Sequence, residues 1–232
     1  MGRLRRAYAG TIALLAAGAA FAAAVWTAHD PAQSALSLLL VAGALVVAVV
    51  AWLESSPASA REVALAATLG GAAAAGRVLF AAIPGVQPVT VICVAAGAAL
   101  GLRTGVAVGG IAAFVSNFFL GQGVWTPWQM LGWGACGAAG ALLGPLLRRR
   151  LVFAAVCAVL GFAFSALMDV WTWLSFYDQH TWATLAATQA RGVWFDAAHA
   201  AGNVAIALAA GPELRRMLDR YGRRLKTVVA WV

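Results

Sequence analysis

Residues 116–129 decide how this chain is organised, and they read Ser116-Asn117-Phe118-Phe119-Leu120-Gly121-Gln122-Gly123-Val124-Trp125-Thr126-Pro127-Trp128-Gln129. Amides, hydroxyls, glycines and two tryptophans stand here between long apolar runs. A bilayer penalises unpaired amides, so such groups are expected to face a partner or a cavity. An earlier stretch has a similar mix and reads Arg77-Val78-Leu79-Phe80-Ala81-Ala82-Ile83-Pro84-Gly85-Val86-Gln87-Pro88-Val89-Thr90. The two stretches together predict one binding site at the outer face of a membrane protein.

Composition sets the class of protein. Of the 232 residues, 63% are hydrophobic and only 10% are charged, whereas soluble domains carry about 25% charged residues. The net charge of +8 comes from short basic clusters between apolar runs, which is typical of topology anchors and not of nucleic-acid binding. Cys93, Cys136 and Cys157 lie in separate apolar runs without CxxC spacing, which indicates small apolar filler.

Apolar segments predict an all-α fold, a polytopic membrane bundle of about eight helices. A spanning helix needs about 20 residues, and most segments reach that length. The pair 88–102 and 105–121 is short, and either two short helices in a hairpin or one longer kinked element fits it. The first segment exceeds the 7–15 apolar residues usual in a signal peptide, so an uncleaved helix is expected. The segments lie at about 7–28, 32–53, 62–82, 88–102, 105–121, 127–147, 151–174 and 191–211.

Positive charges predict the topology. If the N-terminus is cytoplasmic and eight helices alternate across the bilayer, 14 of the 16 Lys and Arg residues fall on the cytoplasmic side. The exceptions, Arg77 and Arg191, lie near the outer ends of helices. The chain is therefore expected in the plasma membrane as a multi-pass protein with both termini in the cytoplasm.

A polar linker at residues 54–61 divides the chain. It separates a two-helix membrane prefix, residues 1–56, from a six-helix body, residues 62–213. The prefix helices carry no internal charge, and no chemistry is assigned to them. Residues 214–232 form a basic tail whose charges alternate at helical spacing, which is typical of a solvated cytoplasmic helix end.

Two charged residues stand inside apolar helices. An arginine at the centre of a membrane helix costs about 2.5–3.5 kcal/mol of insertion free energy. Arg77 therefore indicates a binding site unless its side chain snorkels to the outer headgroups. Asp169 is expected to pair with Arg77 or Arg191, to contact a ligand, or to lie at the outer interface.

A polar stripe runs along the last helix of the body. Asp196, His199 and Asn203 follow i, i+3, i+7 spacing, which puts them on one face and favours a pocket. Tryptophans near the outer side are typical of an interfacial belt, but Trp125 and Trp128 adjoin glutamines. The predicted substrate-binding residues are Arg77, Gln87, Asn117, Gln122, Trp125, Trp128, Gln129, Asp169, His199 and Asn203.

Small residues recur on the first helix of the body. Ala67, Gly71 and Ala75 are spaced to let two membrane helices approach closely, although alanine-rich composition alone could produce the pattern. The chain has no GxxxxGK[ST] motif, so it is not its own P-loop ATPase, and it has no HExxH. We therefore expect no enzyme, no catalytic residue and no metal site.

The body resembles the substrate-binding S component of energy-coupling factor (ECF) transporters. The resemblance rests on residues 77–90, on residues 116–129 and on the run His199-Ala200-Ala201-Gly202-Asn203. It covers residues 62–213, and within the family it is most similar to the cobalamin-type S components.

The resemblance implies a function and partners. S components are six-helix membrane proteins that capture a vitamin or metal ion outside the cell and associate with a transmembrane coupling protein and two cytoplasmic ATPases. The chain itself would bind no cofactor, since the partner subunits use the ATP. Loops at residues 84–88 and about 174–190 would cap the site, and the stripe of Ala67, Gly71 and Ala75 would contact the coupling protein. The two-helix prefix departs from the family pattern.

Other functions and substrates stay open. A proton-coupled secondary transporter could use Asp169 and His199 as relays, and a membrane-embedded lipid enzyme would depend on His199 and Asp196. The predicted site offers stacking surfaces, amides and a cation, which suits a polar organic ligand better than a bare metal ion. Cobalamin is favoured because amide side chains could bind its amides and Arg77 or Arg191 its phosphate. Biotin, riboflavin, pantothenate or an isoprenoid-like compound could use much of the same set.

Overall fold

A computed structural model describes residues 2–27, 30–55 and 59–229, and it confirms the all-α prediction. Within those ranges the chain forms eight α-helices and two short 3-10 turns, Pro31–Gln33 and Leu146–Arg148. The helices are α1 Gly2–Thr27, α2 Ser34–Ser55, α3 Ser59–Leu79, α4 Val89–Leu100, α5 Leu102–Leu120, α6 Thr126–Leu143, α7 Arg150–Phe176 and α8 Trp182–Val229.

The helix lengths agree with a membrane protein. Among the described residues, α3, α5, α7 and α8 are long and apolar enough to cross a bilayer. In contrast, α4 has 12 residues, which makes it about 18 Å long against a hydrocarbon core of about 30 Å. The count of eight spans therefore stays a prediction.

The short pair of apolar segments forms a hairpin. Only Gly101 separates α4 from α5, and its φ of 96° is readily adopted by glycine. Behind the turn the two helices touch, because a Cβ atom on Gly105 would lie 2.6 Å from the Cα atom of Gly97. Gly137 of α6 completes the contact, since a Cβ atom on Gly97 would collide with its carbonyl oxygen. Three glycines thus allow α4, α5 and α6 to approach at backbone distance.

Most of the core lies among the six body helices, and Ala24 of α1 and Val41 of α2 also belong to it. Helix α5 packs between α3 and α6, α7 pairs with α8, and α4 contacts both α6 and α8. The indole of Trp133 is fully buried and stacks on Phe164 with ring centroids 4.2 Å apart. All three cysteines are free and buried, as expected for small apolar filler.

The predicted prefix pairs mainly with itself. Helices α1 and α2 pack along each other, and the buried Ser37 hydroxyl donates to the Ala24 carbonyl over 3.0 Å. A bond of 3.3 Å from the Trp52 indole N–H to Glu62 Oε2 ties α2 to the start of α3.

The start of α8 corrects one prediction. A loop was expected at about 174–190, but α7 runs to Phe176 and α8 already begins at Trp182. Thr181 and Thr184 cap the helix reciprocally, each backbone N–H donating to the other hydroxyl over 3.1–3.2 Å. The cap starts a helix before the apolar run, so only residues 177–181 separate α7 from α8.

The predicted tail belongs to the same helix. Helix α8 passes residue 214 without a break and reaches Val229, while residues 230–232 lie outside the described part. Leu218 is fully buried, and a Cβ atom on Gly222 would lie 3.0 Å from the Ala99 carbonyl oxygen. One face of the tail therefore packs against the end of α4 instead of being fully solvated.

Candidate ligand-binding site

Arg77 turns into the bundle. Its Nη1 donates to Ser116 Oγ over 2.7 Å and to Asn117 Oδ1 over 2.6 Å, and its Nε donates to Gln87 Oε1 over 3.2 Å. The guanidinium also lies 4.9 Å from the ring centroid of Trp133, within the range of a cation–π contact. These bonds hold the Arg77 side chain inside the protein. A snorkelling arginine would instead extend its guanidinium to the outer headgroups.

Asn117 connects Arg77 to the start of α6. Its Nδ2 donates to Thr126 Oγ1 over 2.9 Å and to Gln129 Oε1 over 2.8 Å. The Thr126 hydroxyl donates in turn to Gln122 Oε1, and Gln122 Nε2 donates to a carbonyl of α5. The quoted stretch thus folds into a network that fixes the ends of α3, α5 and α6 against one another. We call this end of the molecule the polar end.

His199 and Asn203 form a second group at the polar end. The fully buried His199 ring places Nδ1 2.6 Å from the carbonyl oxygen of Gly85, in the loop between α3 and α4. A carbonyl can only accept, so Nδ1 carries the proton. Gly85 has a φ of 74°, and a Cβ atom there would lie 2.9 Å from the backbone nitrogen of His199. Glycine at this position therefore lets the loop reach α8.

Two aromatic side chains, Trp133 and Phe164, connect the two groups. Trp133 lies under the Arg77 guanidinium and stacks on Phe164, whose ring centroid is 5.8 Å from that of His199. Room for Asn203 comes from Gly161, where a Cβ atom would collide with the Asn203 amide. Residues predicted from separate stretches thus meet around a core of Trp133 and Phe164.

Several buried polar atoms at the polar end have no hydrogen-bond partner among the described residues. Buried polar groups are normally paired, and leaving one unpaired costs about 1–3 kcal/mol. Both donors and acceptors are available here, because indole N–H groups occur beside amide, carboxylate and imidazole acceptors. The unpartnered atoms are Thr90 Oγ1, Trp128 Nε1, Trp133 Nε1, Asp169 Oδ2, Ser175 Oγ, Asp196 Oδ1, His199 Nε2 and Asn203 Oδ1.

Asp169 lies against α8. A Cβ atom on Gly192 would lie 2.7 Å from the carboxyl carbon of Asp169, and Asp196 follows one helical turn later. Of the predicted arginine partners, Arg77 donates to Gln87, Ser116 and Asn117 as above, and Arg191 donates to the Tyr177 hydroxyl over 3.1 Å. Within the described residues Asp169 thus has neither arginine as an ion-pair partner.

Trp125 stands apart from both groups. Its indole N–H donates to the Gly121 carbonyl over 3.3 Å, and its ring meets Trp171 edge-on with centroids 6.0 Å apart. The other predicted tryptophan, Trp128, is half-buried with its N–H unpartnered. Trp128 is therefore better placed than Trp125 to bond a buried ligand.

Sequence reasoning missed several residues that build the polar end. Ser116 and Thr126 lie in the quoted stretch, and their hydroxyls beside an amide were a usable signal. Trp133 and Phe164 carried none, because an aromatic residue in an apolar helix is usually core. Gly85 could have been found from its place in the Pro-Gly turn.

The small-residue stripe faces away from the bundle. Ala67 and Ala75 are exposed, and a Cβ atom added to Gly71 would meet nothing within 4 Å. The neighbouring Gly70 is buried, and there an added Cβ atom would lie 2.6 Å from Ile111 Cγ2 of α5. Within the described structure the stripe is free, while the adjacent face of α3 forms the packing contact.

No group of three His, Cys, Asp or Glu side chains in the described ranges could hold a metal ion. Comparisons of this chain with protein-family models, with curated proteins and with solved structures each found no match.

Proposed function

We propose that this protein is the membrane-embedded substrate-binding subunit of an ECF-type importer. In this function the polar end captures a vitamin or vitamin-like organic compound, with cobalamin favoured. A transmembrane coupling protein and two cytoplasmic ATPases then supply the energy for its delivery. The resemblance of residues 77–90, 116–129 and 199–203 to S components is one support.

The observation that carries the proposal is the set of unpartnered buried atoms at the polar end. The Arg77–Asn117 network is largely satisfied within the protein, so it acts as a framework that holds the neighbouring elements in place. Beside it, Trp128, His199 and Asn203 keep donors and acceptors that no described residue fills. A bound ligand with amide or hydroxyl groups would fill them and remove their desolvation cost.

The chemistry of these atoms favours a polar organic ligand. Indole N–H groups donate and the Asn203 oxygen accepts, as His199 Nε2 does when the ring is neutral, so a ligand able both to accept and to donate is matched. The peripheral amides of cobalamin have this property. Arg77 lies nearby, and its unused N–H donors suit a phosphate group.

The arginine distribution supports an outward-facing polar end. Basic residues gather beside the α6–α7 connection and in the last part of α8, at the opposite end of those helices, which agrees with cytoplasmic termini. The exposed Gln179, in the α7–α8 connection, should then lie outside the cell. Gln179→Cys should react with a membrane-impermeant maleimide in intact cells, and reaction only after permeabilisation would reverse the orientation.

Ligand binding can be tested at a single atom. Trp128→Phe keeps an aromatic ring but replaces the bicyclic indole, and it removes an N–H that has no protein partner. We expect only the loss of stability that comes from the smaller ring, but roughly fivefold to tenfold weaker binding of cobalamin, because one ligand hydrogen bond of about 1 kcal/mol is lost. The measurement is a titration of the purified protein with cobalamin and cobinamide.

Trp173 provides the matched control. Its indole N–H donates to Thr184 Oγ1 over 2.9 Å, so Trp173→Phe makes the same change of ring but should lower stability by about 1 kcal/mol more than Trp128→Phe and leave the affinity unchanged. If folded wild-type protein binds neither compound at micromolar concentration, cobalamin is excluded. Equal affinity of wild type and Trp128→Phe would place the site elsewhere.

One observation favours a second function, proton-coupled secondary transport. Asp169, Asp196 and His199 each keep a buried unpartnered atom, and such ionisable groups inside membrane helices are typical of proton relays. A relay requires a proton gradient to drive uptake by this chain alone. An S component requires ATP hydrolysis by its partners, so the energy source distinguishes the two functions.

A further inference from the structure

A second polar feature lies at the far end of α7 and α8 from the polar end. A pocket of about 270 Å³ opens between the α6–α7 connection and the last part of α8, and we call it the arginine pocket. Four arginines line it against a single aspartate. The lining residues are Leu147, Arg148, Arg150, Phe153, Gly211, Pro212, Arg215, Arg216 and Asp219.

A proline explains why Arg150 is held here. Pro212 lies inside α8 and has no N–H, so the carbonyl of Leu208, four residues earlier, loses its helical donor. Arg150 Nη2 replaces that donor over 2.8 Å. This bond uses one of the five donors of the guanidinium and leaves the others free to bond a further acceptor.

Arg215, on α8, also donates to a backbone carbonyl that has no helical donor. Its Nη2 donates over 3.1 Å to the carbonyl of Gly144, where α6 has ended and carbonyls lack helical partners. Only 9% of the residue is exposed, and its Nη1 has no hydrogen-bond partner. Asp219 forms an ion pair with Arg215, with Oδ1 3.5 Å from Nε, which is longer than a charge-assisted hydrogen bond.

The positive charge of the pocket is therefore incompletely compensated. Arg216 is paired with Glu213, but Arg148 and Arg150 have no acidic partner in the described ranges. Helix α7 also starts at Arg150, so its first backbone N–H groups and its positive dipole end lie beside the pocket. Arg215 already pairs with Asp219, but its unpaired donor and the neighbouring arginines favour the binding of a further anion.

We propose that the arginine pocket binds a phosphate group. Guanidinium groups match phosphate oxygens in bidentate geometry, and α7 adds donors of the kind that bind phosphate at helix starts. Leu147, Phe153 and Pro212 provide an apolar side to the same pocket. This combination fits the headgroup of an anionic phospholipid, and a free phosphate compound would use the same arginines.

The test compares phosphate sources on the full chain. Wild-type protein is placed in nanodiscs with equal phosphatidylglycerol and phosphatidylcholine, and the retained lipid is measured by native mass spectrometry. A second arm measures the melting temperature in lipid-free detergent with inorganic phosphate. The pocket variant is Arg148→Gln/Arg216→Gln, because both side chains are exposed and the fold does not depend on burying them. Arg103→Gln is the control, being exposed, basic and outside the pocket.

We expect wild type and Arg103→Gln to retain phosphatidylglycerol preferentially. The pocket variant should lose that preference by about 25-fold, because it removes two arginines and each one near a lipid phosphate contributes about fivefold. Stabilisation by inorganic phosphate that the pocket variant loses, without lipid preference, would assign the site to a free phosphate compound. If the pocket variant matches Arg103→Gln in both arms, the proposal is wrong.

Discussion

Asn117→Leu should destabilise the polar end and abolish ligand capture. Asn117 is 1% exposed, and it bonds to Arg77, Thr126 and Gln129. Leucine has a similar size but cannot donate or accept, so three polar partners lose a bond in a buried place. One of them is a guanidinium, for which a lost acceptor is most costly, and we expect a loss of about 3 kcal/mol or more.

Ser116→Ala is the matched control for that change. It removes one acceptor of the same Arg77 and leaves the Asn117 bonds in place, so its cost should be about 1 kcal/mol. Denaturant or thermal unfolding in detergent measures stability, and cobalamin titration measures capture. Equal stability of the two variants would mean that Asn117 does not hold α3, α5 and α6 together.

Gly71→Leu should prevent assembly with a coupling protein and spare ligand binding. Gly71 lies on the free face of α3, and an added Cβ atom meets nothing within 4 Å, so the variant should fold normally. A leucine on the stripe would hold a partner helix away, because small residues are what permits close approach. Co-purification with the coupling protein and cobalamin titration of the free subunit measure the two effects separately.

Gly70→Leu gives the opposite pattern and controls for position. A Cβ atom there would already lie 2.6 Å from Ile111, so the larger side chain should separate α3 from α5 and cost about 1–3 kcal/mol or more. This variant should lose stability and ligand binding together. If Gly71→Leu behaved like Gly70→Leu, the stripe would be internal packing and not a partner surface.

Hydropathy predicted which segments are helical better than where the helices end. The short pair 88–102 and 105–121 was ambiguous, because the apolar pattern fits a hairpin or a kink equally well. The hairpin forms because Gly97, Gly105 and Gly137 meet where three helices pack together. The sequence alone does not show which glycines face each other. The start of α8 was missed because Thr181 and Thr184 form a cap in a polar region.

The candidate site was likewise predictable only in part. Arg77 and Asn117 were predicted to share one end of the bundle, and they are hydrogen-bonded to each other. The sequence could not show that most of these polar groups would satisfy one another, since that depends on side-chain geometry. Nor could it single out Trp133, which contacts both Arg77 and Phe164 but looks like ordinary core.

The most direct test of the central claim is the energy source of uptake. Proteoliposomes would contain this chain alone, or this chain with a coupling protein and its two ATPases, and radiolabelled cobalamin would be supplied to the face carrying the polar end. We predict accumulation only with the complete assembly and ATP, and none from a proton gradient with the chain alone. Accumulation by the chain alone, driven by a proton gradient and lost in Asp169→Asn, would contradict the account and establish a secondary transporter.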